Sequence, residues 1–343
     1  MFRLLIFGSL RDYRRALEFE IITRPAFNPC TIDWPQIIKE KAMRQLAFLL
    51  SAIACVALSI PAASAPKSVA IQTTEVANGL HMLVGSGGNV AVSSGPDGVL
   101  VIDDQYAYQY EGIAQAISEI SPTKTKFLIN THWHSDHAGS NEQMAKSGAV
   151  IVAHENVRLR LSTDQVIEFF KAERPASPRA ALPIITFTDD ITFHFNDDVV
   201  HVIHVSHAHT DGDAIVHFQN ANVIHTGDTF FHGRYPFIDS GSGGSVSGMI
   251  AAANQTLTLC NDETKIIPGH GPMADKQGLI EYRDMLKAVR QTVSDLIVAG
   301  NSAAQIVLAK PTAQFDGKWG DGFLKPDTFV KMITDSIKRA TLN

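Results

Sequence analysis

This sequence of 343 residues lacks a large excess of positive or negative charge. It also has few cysteines and few long hydrophobic runs. The formal net charge of −6 argues against a general nucleic-acid-binding surface. Three cysteines, Cys30, Cys55 and Cys260, are too few for a disulfide framework. The sequence has no low-complexity tract and no short-period repeat, and its composition shows no sign of a disordered or collagen-like protein. With 45% hydrophobic and 19% charged residues, the composition is that of a globular protein.

One apolar run without charge lies near the amino terminus, at residues 46–60. Met43-Arg44-Gln45 precedes it, and Ala63-Ser64-Ala65 follows it. A basic start, a short apolar stretch and small residues at the end are typical of a secretory signal peptide. We therefore predict a signal peptide at residues 43–65 and a periplasmic or secreted mature protein. Residues 1–42 are then an upstream extension that is not native, with Met43 as the true start.

A membrane anchor is the alternative reading of the same run. The run is short for the ~20 residues that span a bilayer. Lipid attachment at Cys55 is a second alternative, although the apolar run continues past it. After signal cleavage we expect no stable membrane insertion and a small-molecule substrate as the partner.

The remaining chain alternates groups of strands with helices. Runs rich in Val and Leu predict strands at residues 80–84, 89–93, 98–102, 127–130, 149–153, 185–195, 199–205, 214–218, 222–225 and 265–267. Helical spacing predicts helices at residues 106–120, 140–147, 247–259 and 275–299, and a helix followed by a polar loop at 155–185. Strands followed by helices, twice over, indicate two sheets packed face to face with helices outside. The prediction is an α+β fold with four αββα layers at residues 66–300 and a helical tail at residues 301–343.

Histidine is concentrated where a predicted strand ends. Of the 14 histidines, His132, His134 and His137 lie within six residues, together with Asp136. Side chains two residues apart at a strand end point the same way, so His132 and His134 could share one metal. Asp136 and His137 begin the next turn and could bind a second metal. Imidazole and carboxylate are ligands of catalytic zinc.

Five motifs in chain order resemble those of the metallo-β-lactamase superfamily, over residues 69–289 or so. They are Asp103 at the end of a strand, the His132-x-His134-x-Asp136-His137 cluster, His209 in His-Thr-Asp-Gly-Asp213, Asp228 in Thr-Gly-Asp-Thr229, and His270 in Pro-Gly-His-Gly-Pro272. The resemblance implies the αββα fold and a site for two zinc ions. It implies one zinc on His132, His134 and His209, a second on Asp136, His137 and His270, and Asp228 bridging them. Asp103 would then hold the ligand loop in place.

The resemblance also implies hydrolysis by a hydroxide that bridges the metals. Asp136 is the candidate to orient this nucleophile and carry a proton to the leaving group. Two further candidates for catalysis or substrate contact follow Asp228, namely His232 and Arg234. Arg234 could supply the cation for an anionic substrate, because Phe231 stands where some family members have lysine or tyrosine.

We therefore predict an exported zinc-dependent hydrolase of a cyclic amide or ester, weak β-lactamase activity included. β-Lactamases of the family usually have cysteine or serine at the position of Asp228, whereas aspartate resembles glyoxalase II-type thioesterases, lactonases and phosphodiesterases. Thioesterase or phosphodiesterase activity is therefore the alternative among hydrolases. A mononuclear-iron sulfur dioxygenase and a metal-binding scaffold are the alternatives from other classes.

Overall fold

The computed structural model describes residue 43 and residues 68–341, and every described residue from 68 onward belongs to one compact unit, Pro66–Asn343. The predicted upstream extension and signal peptide therefore lie outside the described residues, Met43 excepted. None of the helices in the described part of the chain is both long and apolar enough to span a membrane.

Short strands alternate with helices along the unit. The strands are β1 Gln72–Ala77, β2 Leu80–Val84, β3 Val90–Gly95, β4 Gly98–Ile102, β5 Thr125–Asn130, β6 Val150–His154, β7 Gln165–Ile167, β8 Ala172–Arg174, β9 Ile185–Phe187, β10 Asp190–Phe195, β11 Asp198–His204, β12 Ala214–Phe218, β13 Val223–His225, β14 Lys265–Ile267 and β15 Ala274–Asp275. The α-helices are α1 Tyr110–Ile120, α2 Ser135–Ala138, α3 Asn141–Lys146, α4 Glu155–Leu161, α5 Val246–Leu259, α6 Lys276–Val298, α7 Ala303–Leu308, α8 Asp316–Trp319 and α9 Pro326–Ala340.

The strands form two large sheets and one small hairpin. The first sheet has the order β1-β2-β3-β4-β5-β6-β9, antiparallel up to β4 and parallel from β4 to β9. The second has the order β10-β11-β12-β13-β14-β15, in which only the β13–β14 pair is parallel. Strands β7 and β8 form an antiparallel hairpin.

Three hydrophobic clusters divide the unit into four layers. The inner cluster joins the two sheets and includes Leu100 and Val216, both fully buried. A second cluster packs α1 on the outer face of the first sheet. The third packs α5, α6 and α9 on the outer face of the second sheet. Sheets packed on each other with helices outside confirm the predicted α+β fold with αββα layers.

Helix ends follow local sequence signals. Asp275 caps α6, because its carboxylate accepts a hydrogen bond from the Gly278 N–H at 2.8 Å. Pro326 occupies the first turn of α9, where its missing N–H costs no helical hydrogen bond. The segment after residue 300 contains α7, α8 and α9, which are separated by turns.

Two predictions about the middle of the chain were wrong. The run 185–195 is not one strand, because β9 belongs to the first sheet and β10 to the second. Thr188 and Asp189 connect them, and the flanking β-branched and aromatic residues conceal this change of sheet in the sequence. The polar loop predicted after α4 contains the β7–β8 hairpin, whose strands have only three residues each.

Candidate metal centre

The strand ends of the two sheets meet at one edge and place the predicted ligands there. Parallel strands β4 and β5 end at Ile102 and Asn130, directly before Asp103 and the His132–His137 segment. In the second sheet, parallel β13 and β14 lead into the turns that carry Asp228 and His270. Because these strand pairs are parallel, their carboxyl ends lie at the same edge and bring together side chains from distant parts of the sequence.

The seven side chains predicted as ligands lie in two neighbouring groups. One group contains His132, His134 and His209, and the other contains Asp136, His137, Asp228 and His270; within each group, one ligand atom per residue lies within 4.8 Å of the others. In the second group the Nε2 atoms of His137 and His270 are 3.4 Å apart, and His270 Nε2 is 3.2 Å from Asp136 Oδ2. Two ligands ~2.1 Å from one tetrahedral ion would be ~3.4 Å apart, so this spacing fits a metal.

Asp228 contacts both groups. Its Oδ1 lies 3.0 Å from Nε2 of His137, and its Oδ2 lies 3.5 Å from Nε2 of His209. Two polar atoms here, Asp228 Oδ1 and His132 Nε2, are buried and have no hydrogen-bond partner in the described part of the chain. Buried polar atoms without partners are costly, and a bound cation would satisfy both. The donor set of imidazole and carboxylate fits zinc or another divalent first-row metal.

The predicted ligands differ in their exposure to solvent. The side chains of Asp136 and His270 are 21% and 20% exposed, whereas His137 and His209 are fully buried. Asp136 and His270 therefore face solvent at the floor of a cleft of about 400 Å³, which His134 and Asp228 also line.

The histidines of the two groups differ in the direction of their pKa shifts. Burial lowers the pKa of His132 well below its usual value and the pKa of His209 to about 4. Burial also opposes protonation of His270, but the carboxylates of Asp228 and Asp136 raise its pKa to about 9. The pKa of His137 is raised in the same way, against burial, by its carboxylate neighbours.

The acidic members of the second group remain ionised. Burial alone would raise the pKa of Asp136 and of Asp228, but His137 and His270 outweigh it and hold both values below the usual range. The second group thus holds carboxylates that attract cations. Without a metal, the raised pKa values of His137 and His270 favour protonation of both rings.

Buried carboxylates contact the rings of two histidines from behind, and a third carboxylate holds the backbone of another. Asp103 Oδ2 lies 2.7 Å from Nδ1 of His137, and its Oδ1 accepts a hydrogen bond from the Thr131 N–H. Asp239 Oδ2 lies 2.9 Å from Nε2 of His134. Asp213 accepts the backbone N–H of His209 at 2.6 Å. Carboxylates behind metal-binding histidines fix the ring and its tautomer.

Sequence reasoning missed several of these supports. Asp239 lies in a Ser/Gly-rich loop and gave no local signal. Asn89 likewise escaped notice, although its side chain donates to the carbonyls of Pro268 at 2.8 Å and Gly271 at 2.9 Å. Asn89 therefore holds the turn that carries His270, from the opposite sheet.

The three residues predicted to contact substrate or act in catalysis have different positions. Asp136 and Arg234 line the cleft. His232 is not among the lining residues, and its Nδ1 lies 2.9 Å from the carbonyl oxygen of Pro272. This contact ties the His232 ring to the turn that follows His270. Cys260 also lies away from the cleft, and burial raises the pKa of its thiol to about 11.

The remainder of the cleft combines aromatic and apolar side chains with hydroxyl groups and two arginines. Its other walls are formed by Ser86, Tyr106, Ser135, Ile167, Phe170, Arg174, Phe231, Tyr235, Phe237 and Phe323. Phe231 stacks on the His270 ring at 5.1 Å between centroids. Arg234 makes no hydrogen bond and no ion pair with any residue that the structure describes. The cleft therefore offers a free guanidinium beside an aromatic surface.

Comparison with known proteins agrees with this geometry. Two solved structures share the fold: a "Metallo-beta-lactamase from Pontibacter korlensis", at 17% identity and a TM-score of 0.52, covering 63% of this chain and 99% of that one; and the DIM-1 metallo-beta-lactamase, at 16% identity and a TM-score of 0.52, covering 64% and 99%. The family model described as "Metallo-beta-lactamase superfamily" matches residues 85–300. The chain belongs to the metallo-beta-lactamase superfamily.

Proposed function

We propose that the chain is an exported zinc-dependent hydrolase that opens a cyclic amide or ester. Superfamily members are generally hydrolytic enzymes with a metal site of histidine and aspartate, so hydrolase is the coarse class. The observation that supports the two-metal part of the proposal is the position of Asp228, whose Oδ1 lies near His137 and whose Oδ2 lies near His209. Such an arrangement suits two neighbouring metals that share one carboxylate.

In this proposal each ligand group would hold one zinc. The residues that would hold the first are His132, His134 and His209, those that would hold the second are Asp136, His137 and His270, and Asp228 would serve both. Two zinc ions would supply an activated water and polarise the reacting carbonyl or phosphoryl group. The chain then needs no serine or cysteine nucleophile, in keeping with the position of Cys260 outside the cleft.

Asp136 is the proposed proton carrier. It is ionised, it is one of the two solvent-facing members of its group, and it lines the cleft floor. A carboxylate there accepts a proton from the attacking water and returns it to the leaving nitrogen or oxygen. Phe231 stacks on the His270 ring beside this carboxylate.

Arg234 is the proposed contact for an anionic group of the substrate. Its guanidinium lines the cleft and has no acidic partner among residues 68–341. β-Lactams are among the cyclic amides to be tested, because both structural neighbours are named metallo-beta-lactamases. Lactones are tested beside them, because aspartate at position 228 resembles lactonases and not the usual β-lactamases of the family. Residues 43–65 as a signal peptide would place the enzyme in the periplasm or outside the cell, with a small-molecule substrate and without nucleic acid as a partner.

Metal content and a substrate screen test the proposal together. Purified protein is analysed by elemental mass spectrometry and screened with nitrocefin, lactones, thioesters and phosphodiesters, with and without a chelator. We expect about two zincs per chain and chelator-sensitive turnover of a β-lactam or lactone. The Asp228→Asn variant tests the shared carboxylate, and we expect it to bind less metal and to lose turnover.

Other outcomes contradict the proposal at different levels. Turnover of thioesters or phosphodiesters alone would overturn the substrate class and leave the hydrolase. About one iron per chain, with no hydrolysis, would overturn the hydrolase in favour of redox chemistry. Bound metal without turnover of any substrate would favour the metal-binding scaffold.

A further inference from the structure

Three aromatic residues from distant parts of the chain line one side of the cleft. We call Phe170, Phe237 and Phe323 the aromatic wall. Phe170 lies in the turn of the β7–β8 hairpin, Phe237 follows β13, and Phe323 lies between α8 and α9 in the C-terminal tail. The ring centroids of Phe170 and Phe237 are 4.9 Å apart, and those of Phe170 and Phe323 are 5.7 Å apart.

The wall connects the solvent to the candidate metal centre. Phe323 is 74% exposed, Phe170 is 41% exposed and Phe237 is buried. At the inner end, the ring of Phe237 lies 5.9 Å from His134 and 5.7 Å from His209. A substrate that reacts beside these histidines would therefore lay its adjoining group along the wall.

The exposure of the rings in the aromatic wall indicates a binding surface. Large apolar side chains that cluster in solvent at a cleft mark a binding surface more often than a structural one. The hairpin that holds Phe170 also carries Arg174, which lines the same cleft. The surface thus combines aromatic and cationic contacts, which suits a ligand with an apolar ring and an anionic group.

The tail is held firmly enough to present Phe323. The backbone N–H of Tyr235 donates to the carbonyl of Trp319 at 3.0 Å, and the Tyr235 hydroxyl donates to Asp316 at 2.8 Å. The Tyr235 ring stacks on Phe329 with centroids 4.4 Å apart. A side chain on Gly322 would come within 2.6 Å of Arg234 Cβ, so the tail lies directly against the cleft.

We propose that the C-terminal tail is part of the substrate-binding site, and that the aromatic wall selects anionic substrates with an aromatic or bulky apolar group beside the reacting bond. This inference rests on the proposed function for the location of the reacting bond. Its test, by contrast, measures binding alone.

The experiment compares two carboxylates that differ only in a phenyl ring. Dissociation constants of phenylacetylglycine and acetylglycine are measured by calorimetry on the full-length protein as purified. Phe323→Ala and Phe170→Ala remove the exposed rings of the wall. Leu308→Ala is the matched control, because Leu308 is 78% exposed on α7 and does not line the cleft. Thermal unfolding of each variant checks its fold.

We expect the wild-type protein to bind phenylacetylglycine at least ~10-fold more tightly than acetylglycine, as one buried ring contact allows. Each wall variant should reduce this preference several-fold, and Leu308→Ala should leave it unchanged. Equal affinities in the wild-type protein, no measurable binding of either probe, or a preference that survives both wall variants would each overturn the inference.

Failure of the proposed function has a separate signature. If the wild-type protein prefers the aromatic probe but hydrolyses no cyclic amide or ester, the proposed function fails and the role of the tail stands. If it hydrolyses such substrates with equal kcat/KM for methyl and benzyl members of a series, the wall has no role in selection.

Discussion

The Asp239 carboxylate lies 2.9 Å from Nε2 of His134, although 105 residues separate the two in sequence. The other ring nitrogen of His134, Nδ1, lies 2.8 Å from Nε2 of His209 and so faces the candidate metal centre. Asp239 is itself held by the Ser242 hydroxyl at 2.7 Å. The contact determines which nitrogen of His134 is free to bind a metal.

Asp239→Asn should weaken metal binding ~10- to 100-fold, the usual cost of altering a carboxylate behind a metal-bound histidine. The neutral amide gives a weaker partner to Nε2 and turns a donor toward Ser242. Chelator competition measures the affinity, and Asp335→Asn, an exposed site on α9, is the matched control. Equal affinities for the two variants would remove Asp239 from the metal site.

Gly88→Ala should displace His137. A Cβ atom on Gly88 would come within 2.1 Å of the His137 ring, and that ring is already held at 2.7 Å by Asp103. We expect loss of metal from the second ligand group and at least ~100-fold lower activity, as for a misplaced catalytic group. Gly317→Ala is the control, because no atom lies within 4 Å of the added Cβ. Full metal content in Gly88→Ala would show that the ring can move without cost.

Metal affinity should rise with pH up to about 9. The pKa of His270 is about 9 and that of His137 is raised in the metal-free protein, so both are protonated at neutral pH. A metal must displace these protons, and each displaced proton costs ~10-fold in affinity per pH unit below the histidine pKa. Calorimetry in two buffers of different ionisation enthalpy measures proton release. Affinity that is flat between pH 6 and pH 8 would contradict the assignment of these ligands.

Arg234→Ala should raise KM for an anionic substrate ~10-fold and leave kcat nearly unchanged, since the proposed contact holds ground state and transition state alike. The Arg234 guanidinium has no hydrogen-bond or ion-pair partner among the described residues, so its removal should change the stability of the fold little. Arg283→Ala, on α6, is the control. A KM that stays constant for the anionic substrate, or rises equally for a neutral analogue, would exclude this contact.

Local patterns were sufficient where the signal is contiguous. The strands at 80–84, 98–102, 214–218 and 265–267 agree with the structure to the residue, because buried runs of Val, Leu and Ile lie between turn residues. The His132–His137 cluster could be recognised for the same reason, since four ligand-type side chains stand together after a strand. The prediction of one strand at residues 185–195 was wrong, because the chain changes sheet at Thr188 and Asp189 while the residues on both sides retain high β propensity.

The sequence by itself determined the family, the four-layer fold and the candidate ligands, because residue types and their chain order carry that information. The tertiary structure decided which side chains support them. Asp239 behind His134, Asn89 beneath the His270 turn and Phe323 at the cleft mouth all come from segments with no local pattern. Their positions depend on how two sheets and the tail pack, and packing joins residues that sequence spacing cannot relate.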